Sequence, residues 1–120
     1  MTVEKIEWMD EAEKEAIVTV SCNGYKVVCF SHPCLLKTGC KFEELLECID
    51  AKCVTNCECV AKIQKKGGFF GYELQGKIVD RVKGIINING LIFHIDADEI
   101  PKDVKEEMYI SFETSRIDIW

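Results

Sequence analysis

Asn89-Gly90 divides two apolar-rich runs that together span residues 84–96. Asn-Gly is the dipeptide best suited to the two positive φ angles of a type I′ turn, which joins antiparallel strands through a two-residue loop. Such a loop fixes the register. Ile88 faces Leu91, Ile86 faces Phe93 and Gly84 faces Ile95 on one side of the ribbon, while Asn87–Ile92 and Ile85–His94 share the other. The first side is wholly apolar and needs cover from the rest of the chain. Asn23-Gly24 sets up a second hairpin of the same design, pairing Cys22 with Tyr25, Val20 with Val27 and Val18 with Cys29 on one face.

The remaining segments read mostly as short strands. Residues 2–8 form an edge strand with Ile6 and Trp8 on one face, followed by an acidic turn in which Asp10 accepts from backbone N–H groups. Ala61 and Ile63 continue an alternation begun at Cys57 and Cys59, and Tyr72, Leu74, Gly76 and Ile78 alternate with polar residues. Gly76 inside that strand marks a bulge or a sharp bend. Met108, Ile110 and Phe112 point inward on a late strand, and the apolar parity flips to Ile117 and Ile119 beyond Thr114-Ser115. One α-helix is expected over residues 41–52, because Phe42, Leu45, Leu46 and Ile49 fall on one stripe and Glu43 and Glu44 suit the dipole of a first turn.

The expected fold is therefore mainly β: a β-barrel or a strongly bent antiparallel sheet, with one helix. The strand count with a single helix resembles the OB-fold class in a general way, although here the helix follows the first hairpin unless residues 2–8 count as a strand. No linker, low-complexity segment or internal repeat is read from the chain, so residues 1–120 are expected to form a single small β-barrel-like domain.

Composition bears on partners and compartment. A net charge of −6 repels phosphate backbones and argues against nucleic acid as a partner. No apolar run reaches the roughly 20 residues that cross a bilayer, and residues 1–8 lack the basic start and apolar run of a signal peptide, so a cytoplasmic address is expected. In a reducing cytoplasm the eight cysteines are free thiols or metal ligands rather than disulfides. Cys-x-x-Cys, the strong zinc signal, does not occur. Cys22, Cys29, Cys53, Cys57 and Cys59 fall where buried apolar residues belong, and Cys57 and Cys59 are expected to be reduced and inert.

Two candidate sites follow, from different classes. The first is a surface for a protein partner or for self-association, made of Lys65, Lys66, Phe69, Phe70 and Tyr72 around flexible glycines, or of an exposed strand edge. The second is a metal- or thiol-dependent loop of His32, Cys34 and Cys40, with zinc as its cofactor. The first requires no cofactor. Ser21, Ser31, Ser111 and Ser115 lack any nucleophile-elbow context, so no catalytic residues are assigned and a binding or interaction module is the favoured reading over an enzyme.

Overall fold

In a computed structural model, which describes residues 1–56, 60–66 and 70–119, both Asn-Gly dipeptides form two-residue turns with positive φ throughout. The angles are 51° and 86° at Asn23 and Gly24, and 50° and 100° at Asn89 and Gly90. The registers are those the turns dictate, with Cys22 opposite Tyr25 and Ile88 opposite Leu91.

Among the described residues the strands are β1 (Thr2–Asp10), β2 (Glu15–Cys22), β3 (Tyr25–Ser31), β4 (Leu46–Ile49), β5 (Lys52–Asn56), β6 (Lys62–Lys65), β7 (Tyr72–Asp80), β8 (Ile85–Ile88), β9 (Leu91–His94), β10 (Tyr109–Thr114) and β11 (Arg116–Ile119). A single turn of 3-10 helix spans Ala97–Glu99. All the strands belong to one sheet in the order β1-β2-β3-β11-β4-β9-β8-β7-β10-β5, with β6 beside the first half of β7.

Two expectations are corrected. No α-helix forms over residues 41–52; that stretch holds β4 and the start of β5 instead. Leu46 and Cys48 are buried while Glu47 and Ile49 are half-buried, a period of two. Leu45, which the helical stripe would bury, is exposed. β4 lies between β11 and β9, and hydrogen bonds on both its edges outweigh the weak local preference for helix. The sheet also does not close into a barrel, because its end strands β1 and β5 do not pair with each other.

The central part of the sheet has a two-fold topology that the sequence does not announce. β1-β2-β3 and β7-β8-β9 are three-stranded meanders of the same construction. In each, the first strand bulges just before an aspartate, between Trp8 and Asp10 or between Ile78 and Asp80. The aspartate then caps the turn: Asp10 Oδ1 accepts from Glu13 N–H at 3.2 Å, and Asp80 Oδ1 accepts from Lys83 N–H at 3.0 Å. The turn ends on a residue with positive φ, Lys14 or Gly84, and the second hairpin arm leads into Asn-Gly.

Between the meanders run β11 and β4, antiparallel to each other, with Ile117 opposite Cys48 at the centre. β11 lies parallel to β3 of the first meander, and β4 lies parallel to β9 of the second. Each meander is thus extended by a strand that follows the other in sequence. The two hairpin tips curl together and exchange matching hydrogen bonds. Asn23 Nδ2 donates to the Asn89 carbonyl at 2.9 Å, and Asn89 Nδ2 donates to the Asn23 carbonyl at 3.1 Å. Reciprocity of this kind is what a local two-fold axis produces.

The inward face carries the core, in which Phe93, Phe112, Leu46, Leu74, Ile78 and Ile86 are fully buried. Gly76 in β7 permits the tight coil of the second meander: a Cβ there would stand 2.7 Å from the Asn87 carbonyl oxygen and 2.5 Å from Ile88 Cγ1. The expected bulge falls later, between Ile78 and Asp80; at Gly76 the pairing with β10 is regular, and the glycine serves the close approach of β8.

Candidate functional site

β1 is an edge strand, and its two ends are treated differently. Near its start the outer side is covered: Val3 N–H donates to the Cys40 carbonyl at 2.9 Å, Gly39 N–H to the Val3 carbonyl at 2.7 Å, and Phe42 N–H to the Met1 carbonyl at 3.1 Å. From Glu4 to Asp10, no strand among the described residues pairs with that side. Val3, Ile6 and Trp8 stand opposite Val20, Val18 and Ala16 and so lie on the core side of the sheet, while Lys5 and Glu7 stand opposite Thr19 and Ile17 on the other side. Lys5 Nζ and Glu7 Oε1 are 3.0 Å apart in the open.

The counterpart of this edge in the second meander is occupied. β10 runs antiparallel along the outer side of β7, with Tyr109 opposite Lys77 and Ile110 opposite Gly76. The pairing extends to Ile78, whose N–H donates to the Met108 carbonyl at 2.8 Å and whose carbonyl accepts from Glu107 N–H at 2.9 Å. Ile78 and Trp8 hold equivalent positions before their bulges, yet Ile78 is 0% exposed and Trp8 44%. The core-side face of the first meander therefore runs out one strand early, and Trp8 stands at its rim.

Of the expected contact residues, Lys65 and Lys66 are exposed and Tyr72 is buried. Tyr72 is only 4% exposed, and its hydroxyl accepts from Val28 N–H at 2.9 Å, so it belongs to the core rather than to a surface. Burial, only partly offset by that hydrogen bond, raises its pKa. Lys65 Nζ sits 5.0 Å from the centre of the Tyr72 ring, and Lys66 pairs with Glu113 of β10. Phe70 is half-buried, and Phe69 lies outside the described residues.

His32, Cys34 and Cys40 are not brought together as a ligand set. His32 is exposed, Cys34 is buried at 2%, and Cys40 is half-buried against the core. Among the described residues no three His, Cys, Asp or Glu side chains are grouped so as to hold a metal ion. Cys22, Cys29, Cys34, Cys40 and Cys48 are free thiols. Cys29 is fully buried as expected and Cys22 packs against the core, whereas Cys57 and Cys59 lie outside the described residues. Burial, with Asp118 adding, pushes the Cys29 thiol far up, and burial does the same for Cys48.

An acidic cleft of about 520 Å³ opens where β4 meets β9, lined by Glu47, Asp50, Asp96 and Glu99 with Lys83 among its walls. His94 also faces it, and its Nδ1 lies 2.7 and 2.8 Å from the two Glu47 oxygens. A carboxylate only accepts, so Nδ1 carries the proton in this pair. Glu47 lies opposite His94 in the β4–β9 ladder, and the local two-fold makes Arg116 of β11 the counterpart of Glu47. Arg116 instead lies over the Phe30 ring at 4.7 Å and grips Asp118 with two hydrogen bonds of 2.6 and 2.7 Å. Each central strand thus carries a charged side chain that pins it locally. Glu47 comes from a different segment and is joined to His94 only by the parallel ladder, so no local pattern pairs the two.

No family model, curated protein or solved structure matches this chain.

Proposed function

We propose that this protein is a non-catalytic interaction module that accepts an extended protein segment as an added strand along the outer edge of β1. The observation that carries the reading is the unequal treatment of equivalent edges, β7 covered by β10 and β1 left unpaired beyond Val3 among the described residues. Strand addition draws affinity from main-chain hydrogen bonds and specificity from alternate side chains. The core-side face at this edge offers Ile6 and Trp8, so the fitting segment presents apolar residues at alternate positions on that side.

The test uses a peptide of residues 107–114, the kind of strand that the counterpart edge accepts. Titrated into isotope-labelled protein, it should shift the amide resonances of residues 4–8 in a saturable way, and replacing its Ile110 with Pro should abolish the shifts. A peptide that leaves β1 unmoved, or that acts only elsewhere, overturns the reading.

A further inference from the structure

Resting on β1 as a docking edge, we propose that the strand it accepts is β1 of a second copy of this chain, paired antiparallel about a two-fold axis midway between the two Ile6 residues. Two identical antiparallel strands in one sheet are related by an axis perpendicular to that sheet, which passes midway between a residue and its own copy. Opposed side chains then share a face. Because the outer side of β1 near its start is already bonded to residues 39–42, the available centres are Lys5, Ile6, Glu7 and Trp8.

Charge decides among them. Centring on Lys5 sets that lysine against its own copy. Centring on Glu7 opposes the two Glu7 carboxylates and adds Glu4 against Asp10. Centring on Trp8 sets Lys5 against Glu11, beyond the end of β1, and carries the pairing through the bulge between Trp8 and Asp10. Centring on Ile6 places each Lys5 opposite the other copy's Glu7, a double ion pair on the solvent face. On the core side it joins the two Ile6 side chains at the axis, with each Trp8 beside them and opposite the Glu4 position of the other copy, where β1 bulges, and it extends the row that Val18 and Val20 begin.

The ladder is also regular where this register needs it. Residues 5–8 pair with β2 without interruption, and the bulges of β1 fall outside them, between Val3 and Lys5 and between Trp8 and Asp10. Forming the new ion pairs means giving up only the exposed Lys5–Glu7 contact within one chain, and such surface pairs contribute little. The interface is short, well below the size of stable obligate dimers, so the association is weak and concentration-dependent.

Sedimentation velocity on the whole chain from ~10 μM to ~1 mM, a range suited to weak association, should show the mass rising from 13.7 kDa towards twice that value. Lys5→Glu and Glu7→Lys should each weaken association by about tenfold or more, since each turns both cross-strand pairs into like-charge pairs. Circular dichroism should show both variants folded. An equimolar mixture of the two should restore association, because one variant then offers carboxylates at both positions and the other offers ammonium groups.

A native protein that stays monomeric throughout overturns the proposal, as does association that survives either substitution or is not restored by mixing. If the native protein stays monomeric while the 107–114 peptide still shifts residues 4–8, self-pairing fails and the docking edge stands. If the peptide also fails, both fall.

Discussion

Replacing Gly76 with alanine separates a steric role from an ordinary strand glycine by the sign of its effect. In an unhindered strand, Gly→Ala stabilises by roughly 0.4 to 1 kcal/mol, because alanine leaves the unfolded chain less freedom to lose. At Gly76 the added methyl would sit 2.5 Å from Ile88 Cγ1, 2.7 Å from the Asn87 carbonyl oxygen and 3.0 Å from Ile86 Cγ2. Ile88 is fully buried and the oxygen is backbone, so relief requires β8 to move away from β7. Overpacking of this kind costs about 1 to 3 kcal/mol, and it outweighs the chain-entropy gain to leave a net loss of about 1 to 2 kcal/mol. For a chain of this size that is a fall in Tm of roughly 4 to 8 °C. Urea unfolding should show a lower midpoint with an unchanged slope, since the same surface is exposed. A midpoint equal to or above that of the native protein would refute the close approach of β8 to Gly76.

The two hairpin glycines give a matched comparison. Gly24 and Gly90 both have positive φ, but a Cβ at Gly24 meets nothing within 4 Å while one at Gly90 lies 2.4 Å from Cys22 Sγ and 3.0 Å from Asn23 Nδ2. Thermal unfolding should therefore show Gly90→Ala losing more than Gly24→Ala by about 1 kcal/mol or more, the excess reporting tip-to-tip docking; equal losses would count against it. Alkylation of the native protein near pH 8, read by peptide mapping, should label Cys22 and Cys40 first and spare Cys29, Cys34 and Cys48 until unfolding, because burial excludes the reagent and holds the Cys29 and Cys48 thiols protonated. Labelling of Cys29 or Cys48 as fast as Cys40 would contradict their placement.

What the sequence made legible was what local chemistry decides. Asn-Gly leaves a hairpin no second register, so the facing of Val18 with Cys29 and of Ile86 with Phe93 follows from the turns alone. The shift of apolar parity beyond Thr114-Ser115 likewise marks where β10 ends and β11 begins. The expected helix failed because β4 has only four residues, too few to establish a period of two against the stripe of Phe42, Leu45 and Ile49. Its identity as a strand comes from β9 and β11, which are far away in the chain.

The paired meanders were hidden for a related reason. Their second strands have eight and four residues, so the capping aspartate and the Asn-Gly turn do not recur at a constant spacing. The candidate edge was half legible. Ile6 and Trp8 could be placed on one face, but that β7 has a covering strand and β1, among the described residues, has none depends on where β10 docks.

The lodging of β4 against β9 and of β11 against β3 has a consequence for how the molecule is made. On the ribosome, the first meander can form its hairpin early, but its neighbour on the β3 side is residues 116–119, which are among the last of these residues to be translated. The second meander, conversely, must find β4, a strand that has already waited since before β5 was made. Contacts of such long sequence separation slow folding, because loop closure must come before the pairing that rewards it. Until then the free side of β3, with Val27 and Cys29 on its inner face, stays open to wrong strands, and this is the interval in which a chaperone would have most to protect.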